Sequence, residues 1–306
     1  MGAASTMLFA GPGGLRVHSL RARRSPVPRH DRSVPTQQQN LMSQTAVDPI
    51  VVKIGGTLID QSDAMTALWS ALQTLRERSP VVLVHGGGKQ MSAMADRLGH
   101  SPRRVQGRRV TTDLDLEIAQ WTMNGTLNTR LVAQATAHDL TAVGLSGADA
   151  RQVQVSKRPP WTIDGERVDF GWVGDIEAID PSLVEQLLAT GALPIVAPLG
   201  IDEDGQLYNV NADTVACALA SALGAQELLF VTGTGGVRRD ADDPASHLST
   251  CDAETFAAGV EAGWIQGGMR VKITTALNAL RDGVGRAFIC APDDLASRSR
   301  ATEVIG

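Results

Sequence analysis

The sequence predicts an α/β protein built on a mainly parallel sheet with helices on both faces. Three observations carry this. Short apolar, β-branched runs recur along the chain, amphipathic stretches of helical length separate them, and two of the runs end directly in glycine clusters. Strands that alternate with helical segments need crossover connections, and crossovers give parallel pairing. With 306 residues the chain can form one large α/β domain or two lobes.

The apolar runs predict strands over 50–54, 80–85, 141–145, 193–197, 227–232 and 286–290. Apolar residues three and four apart predict helices over about 62–77, 88–98, 114–138, 181–190, 212–223, 253–262 and 269–282. Residues 151–175 depart from this rhythm. Polarity alternates over Arg151–Val155 and again over Val168–Val173, around a turn containing Pro and Gly, which predicts an antiparallel hairpin. The polar turn Gly200-Ile201-Asp202-Glu203-Asp204-Gly205 lies between apolar runs and marks a lobe boundary, giving 48–200 and 201–306. No internal repeat is evident.

Residues 1–47 show no helical or strand period. They hold six arginines against one acid, Asp31, so the segment carries +5 and the remaining chain −10 of the total −5. Three readings stay open: a disordered or mis-started tail with Met42 as the real start, an organelle transit peptide, or a secretory signal. The secretory reading is the poorest, because no basic region precedes the short apolar stretch Met7–Ala10. The acidic body argues against nucleic acid as a partner. No apolar run reaches the roughly 18–20 residues of a membrane span. Cys217, Cys251 and Cys290 are scattered, with no CxxC pair, and predict buried thiols in a reducing compartment such as the cytoplasm.

Chemistry concentrates where strands end. Lys53-Ile54-Gly55-Gly56 follows the first apolar run, and His85-Gly86-Gly87-Gly88-Lys89 follows the second. Glycines there present bare backbone N–H groups, which bind phosphate oxygens. The spacing is neither the P-loop GxxxxGK(S/T) nor the dinucleotide GxGxxG with a later acid. Asn209-Val210-Asn211-Ala212-Asp213 precedes an Ala-rich helix. Asn and Asp favour helix N-caps, but three polar residues alternating over five positions exceed what capping needs. Gly267-Gly268-Met269-Arg270-Val271-Lys272 sets a lysine one turn into a helix, as a phosphate-binding group or as a solvated surface lysine. Gly107-Arg108-Arg109-Val110-Thr111-Thr112 offers a carboxylate clamp or a solvated basic loop. Gly144-Leu145-Ser146-Gly147 lacks the GxSxG spacing and reads as a strand-end turn. Lysine is scarce, four residues against 24 arginines, so its use in these glycine-flanked places suggests a need for a compact ammonium.

Taken in order, KIGGT at 53–57, HGGGK at 85–89, GRRVTT at 107–112, NGTLN at 124–128, VGLSG at 143–147, NVNAD at 209–213, FVTGTGGV at 230–237 and GGMRVK at 267–272 resemble the amino acid kinase family. The likeness runs over about 50–306 and is greatest to members that phosphorylate N-acetyl-L-glutamate. It implies a three-layer αβα sandwich around an open, mainly parallel eight-stranded sheet. It further implies an ATP- and Mg²⁺-dependent kinase acting on the γ-carboxylate of N-acetyl-L-glutamate in arginine biosynthesis. The lobe 48–200 would bind the acyl amino acid and dimerise, and the lobe 201–306 would bind ATP. Carried over by position, Lys53 and Lys272 would stabilise the transferring phosphoryl group and Asp213 would hold both. Gly87, Gly88, Arg109, Asn209 and Asn211 would contact the substrate. Gly55, Gly56, Thr232, Gly233, Gly236, Gly268, Met269 and Arg270 would frame the nucleotide. No residue is expected to ligate a metal directly.

Two departures stand out. Family members commonly have Asp where Gly233 stands, and a Lys where Thr129 follows the last Asn of NGTLN. The resemblance leaves two competing readings: a kinase for another acyl acid, such as N-succinylglutamate or a carrier-linked aminoadipate, and a non-catalytic arginine-sensing domain. HGGG and NVNAD favour a small substrate, and the presence of both lysines with Asp213 favours catalysis. Family members inhibited by arginine carry an extra N-terminal helix that links dimers into hexamers. The lack of helical period in residues 1–47, with Pro26, Pro28 and Pro35, predicts instead a homodimer that arginine inhibits weakly or not at all.

Overall fold

The structure is a computed structural model that describes residues 48–306. The readings of residues 1–47, and the prediction on arginine control that rests on them, lie outside the described residues. The centre is an eight-stranded sheet in the order Thr250–Cys251, Thr302–Val304, Arg286–Cys290, Glu227–Val231, Ile50–Ile54, Val81–His85, Leu193–Ala197, Ala142–Ser146. All pairs are parallel except Arg286–Cys290 with Thr302–Val304. The six strands predicted from apolar runs all lie in this sheet. The two missed strands sit at its edge, and at two and three residues they are too short to show a run.

Both faces are covered, and the strand Ile50–Ile54 shows how. Successive side chains point to opposite faces. Ile50, Val52 and Ile54 pack with Leu68, Leu72 and Leu75 of the helix Ser62–Arg76 and with Leu131 and Ala135 of Asn128–Ala137. Val51 packs with Val215, Ala216 and Leu219 of Ala212–Ala222 and with Ile273 and Ala276 of Gly267–Arg281. Lys53 shares the parity of Val51, so its stem leaves the sheet toward these last two helices. That alternation fixes which elements meet at the site.

The predicted helix over 114–138 is three pieces: Asp113–Ala119, a π-helical Gln120–Leu127, and Asn128–Ala137. The wider π turn takes up extra residues around Gly125, a poor helix former, and a 3.6-residue period cannot register it. The predicted hairpin also differs. Val153–Lys157 pairs antiparallel with Gly174–Ile179, not with 168–173. Trp161–Ile163 and Glu166–Val168 form a separate small hairpin between them. The stretch between is held elsewhere: Phe170 is fully buried, and Gly171 turns at φ 66° with Thr111 O only 2.1 Å from where a Cβ would be. Leu207–Asn209, Leu199–Ile201, Val153–Lys157 and Gly174–Ile179 form a second sheet of four strands. Among the described residues no helix is long and apolar enough to cross a membrane. The three cysteines are buried and free, as expected.

Candidate active site

The site forms at the C-terminal end of Ile50–Ile54, where loops of an open α/β sheet place ligands. Lys53 Nζ lies 2.8 Å from Asp213 Oδ1, and Lys272 Nζ lies 3.4 Å from Asp213 Oδ2. Three residues far apart in sequence therefore meet on one carboxylate. Asp213 reaches this point from the first turn of Ala212–Ala222, and Lys272 from the second turn of Gly267–Arg281. Lys53 and Asp213 are buried, and the Lys272 side chain is 16% exposed. Burial raises the Asp213 pKa, but the two ammonium groups outweigh it and hold the carboxyl below its ordinary range. Burial pulls the Lys53 ammonium below its usual pKa; Asp213 opposes this, and Lys272 adds to it.

The two glycine loops close against each other. A Cβ on Gly56 would lie 2.6 Å from Gln90 Oε1 and 3.2 Å from Gly87 Cα, so backbone approach requires the glycine. Gln90 Nε2 donates to Gly56 O at 2.6 Å and ties the loops together. Gly88 opens the helix Gly88–Arg97, and nothing lies within 4 Å of where its Cβ would stand.

Beside the lysines runs an open cleft of about 550 Å³. Of the residues assigned to nucleotide from sequence, Gly55, Thr232, Gly233, Gly268 and Met269 line it, together with Lys272. Thr57, Leu58, Gln61 and Thr234 line it too and were missed. Thr57 lies within the KIGGT motif, so that one was legible. Gly56, Gly236 and Arg270 are not part of this lining. Gly236 is buried, and a Cβ there would meet His247 Nε2 at 2.4 Å and Thr302 Oγ1 at 2.5 Å.

Residues assigned to substrate are placed less uniformly. Arg109 turns inward: it donates to Ser92 Oγ at 2.8 Å and Gly88 O at 3.5 Å, and pairs with Asp115 Oδ1 at 3.3 Å. Asp115 forms a capping box with Thr112 and also lies 3.2 Å from His100. Asp115 and Ser92 were not singled out from sequence, although Thr112-x-x-Asp115 is a cap signature. Asn209 Nδ2 donates to Thr111 Oγ1 at 3.2 Å. Asn211 caps its helix, accepting from Asp213 N at 2.8 Å and Thr214 N at 3.1 Å. The capping reading of Asn211 is therefore met, and the cap aims Asp213.

Paired ammonium groups, bare glycine N–H groups and an adjoining cleft define a class: enzymes that transfer a phosphoryl group by holding charge. The chain belongs to the amino acid kinase family, whose description matches residues 48–291. It is 40% identical over 243 residues to an acetylglutamate kinase of Symbiobacterium thermophilum, covering 78% of this chain and 83% of that protein. It is 39% identical over 269 residues to an acetylglutamate kinase of Sorangium cellulosum, covering 86% and 94%. Among solved structures, an N-acetylglutamate synthase from Neisseria gonorrhoeae complexed with coenzyme A and N-acetyl-glutamate superposes with TM-score 0.71 at 24% identity. That match covers 85% of this chain but 59% of the synthase chain. A carbamate kinase from Giardia lamblia bound to AMP-PNP superposes with TM-score 0.62 at 15% identity, covering 85% and 99%. These two share the fold.

Proposed function

We propose that this chain is an ATP-dependent kinase that phosphorylates the γ-carboxylate of N-acetyl-L-glutamate, giving N-acetyl-L-glutamyl 5-phosphate in arginine biosynthesis. The observation that carries the proposal is the convergence of Lys53 and Lys272 on Asp213, with Lys272 lining the adjoining cleft.

The nucleophile is a side-chain carboxylate with a pKa of about 4.3, ionised at neutral pH, so the reaction needs no general base. Its obstacle is repulsion between the carboxylate, the γ-phosphate and the departing ADP. Lys53 and Lys272 offset that repulsion, and Asp213 holds both in place. Gly87 and Gly88 N–H groups donate to oxygens of the substrate and of the moving phosphoryl group. Thr232, Gly233, Gly268 and Met269 of the 201–306 lobe frame the nucleotide, with Gly55 from the 48–200 lobe facing them across the cleft. Arg109 of the 48–200 lobe, with Asn209 and Asn211 from just beyond the boundary, shapes the acyl amino acid pocket, Arg109 by bracing Ser92 and Gly88 until substrate competes for its guanidinium. The described residues contain no cluster of three His, Cys, Asp or Glu that fits a metal. In this reading Mg²⁺ is bound to ATP and neutralises phosphate charge there. We further propose a cytoplasmic homodimer, the strand Ala142–Ser146 leaving a sheet edge open for a second copy.

Hydroxylamine trapping of the acyl phosphate tests the proposal. The full chain is given MgATP with N-acetyl-L-glutamate, N-succinyl-L-glutamate or free L-glutamate. N-acetyl-L-glutamate is expected to give the highest kcat/KM, and Lys272→Ala to lose about 10²–10³ in kcat. Trapped product from the succinyl compound alone, or equal turnover by Lys272→Ala, refutes it.

A further inference from the structure

His85 heads the HGGG loop, yet no role in the chemistry above falls to it. It is fully buried at the end of Val81–His85, in the parallel register Ile54↔His85, one position beyond the pair Lys53↔Val84. Its two ring nitrogens face different kinds of partner. Nδ1 lies 3.2 Å from the carbonyl oxygen of Gly86, which only accepts. Nε2 lies 3.3 Å from Asn128 Nδ2, which only donates. The orientation of the Asn128 amide is itself fixed, since the same Nδ2 donates to Leu145 O at 3.1 Å and Ile195 O at 2.9 Å. Two hydrogens serve three acceptors, so the longer contact to His85 shares one of them. Both ring contacts select one tautomer: neutral imidazole with its proton on Nδ1.

This tautomer has a consequence one bond away. The Gly86 carbonyl and the Gly87 N–H belong to the same peptide, and in a trans peptide they point in opposite directions. Every peptide among the described residues is trans. Pinning the carbonyl to His85 therefore turns the Gly87 N–H away from His85, on the loop that packs against Gly56. Among the described residues no backbone carbonyl accepts from that N–H. Asn128 has been given its own space: a Cβ on Gly144 would sit 1.9 Å from Asn128 Oδ1.

We infer that Asn128 and His85 are positioning residues for phosphoryl transfer: Asn128 fixes the His85 tautomer, His85 Nδ1–H holds the Gly86 carbonyl, and the Gly87 N–H is thereby aimed at the migrating phosphoryl oxygens. The inference rests on the proposed kinase reaction for its kinetic part only. Burial, with Lys53 nearby, brings the imidazole down to about 4, so the neutral ring persists through the working range.

The test uses the full chain and two independent readouts. Nitrogen-15 NMR of the histidine-labelled protein near pH 7 is expected to show His85 protonated at Nδ1 and bare at Nε2. A ring protonated at Nε2, or at both nitrogens, overturns the inference whatever the enzyme phosphorylates. For kinetics, His85→Asn keeps an N–H close to the Nδ1 position, and His85→Leu removes it. We expect His85→Asn to retain kcat within about fivefold and His85→Leu to lose about 10–100-fold, with KM for ATP changing less than about threefold in both. Asn128→Asp replaces the donor with an acceptor, and is expected to move the proton to Nε2 and lower kcat on the same scale. Equal kcat for His85→Leu and His85→Asn overturns the inference. A wild-type chain that shows the Nδ1 tautomer but phosphorylates no acyl glutamate overturns the proposed reaction instead.

Discussion

Replacing Asp213 with Asn removes the one charge that holds Lys53 and Lys272 together. At an effective dielectric of about 20, the 2.8 Å and 3.4 Å contacts correspond to attractions of about 6 and about 5 kcal/mol. The net loss is smaller, because a freed ammonium regains hydration. Lys272 can swing toward solvent, whereas Lys53, at 5% exposure, cannot. Removing one partner of a buried pair costs about 3–5 kcal/mol, and we expect Asp213→Asn to destabilise the fold on that scale. The second effect is on protonation. Burial and Lys272 already pull the Lys53 pKa down, and Asp213 is what opposes them. Without Asp213 the proton leaves Lys53 more readily, so the alkaline limb of the kcat profile moves to lower pH. The assays are guanidinium denaturation and kcat measured from about pH 6 to about pH 10. We expect a loss of about 10²–10³ in kcat at neutral pH with that shifted limb. An Asn variant as stable as wild type, with an unmoved alkaline limb, refutes the reasoning.

Other predictions follow from the same geometry. Gly87→Ala places a Cβ 2.7 Å from Met123 Cγ and 2.8 Å from Leu127 Cδ1; we expect about 1–3 kcal/mol of destabilisation in denaturant melts and a fall in kcat as the Gly87 N–H is displaced. His85 is held near 4 against an ordinary 6.5, so on acidification the unfolded chain takes up a proton that the native state refuses. Stability is therefore lost as pH falls from about 6.5 to about 4, by about 3 kcal/mol in all, and His85→Asn should lack this component of the acid sensitivity. Burial pushes the Cys217 and Cys290 thiols up to about 12 and Cys251 up to about 11. Iodoacetamide near pH 8 should leave all three unmodified in the folded enzyme and label all three in denaturant, as mass spectrometry will read.

Much of this protein is written locally in its sequence. The β-branched runs define the six longer strands of the eight-stranded sheet because burial on both faces of a parallel sheet demands continuous apolar residues, and Ile50–Ile54 and Val81–His85 are buried throughout. Glycines at strand ends mark candidate phosphate-binding loops, because bare backbone N–H groups can bind phosphate oxygens without a side chain. What local pattern could not decide was which distant groups meet. Nothing in the spacing of 53, 213 and 272 places two ammonium groups on one carboxylate; that follows from side-chain parity in Ile50–Ile54 and from two helices packing on the same sheet face. The slipped hairpin, the π turn before Asn128 and the inward Arg109 were likewise settled by contacts across the fold, where burying Phe170, accommodating Gly125 and satisfying Asp115 outweighed local periodicity. Sequence determined the elements and the chemistry each carries. Tertiary structure decided their convergence, because charge interactions depend on distance through space and not on separation along the chain.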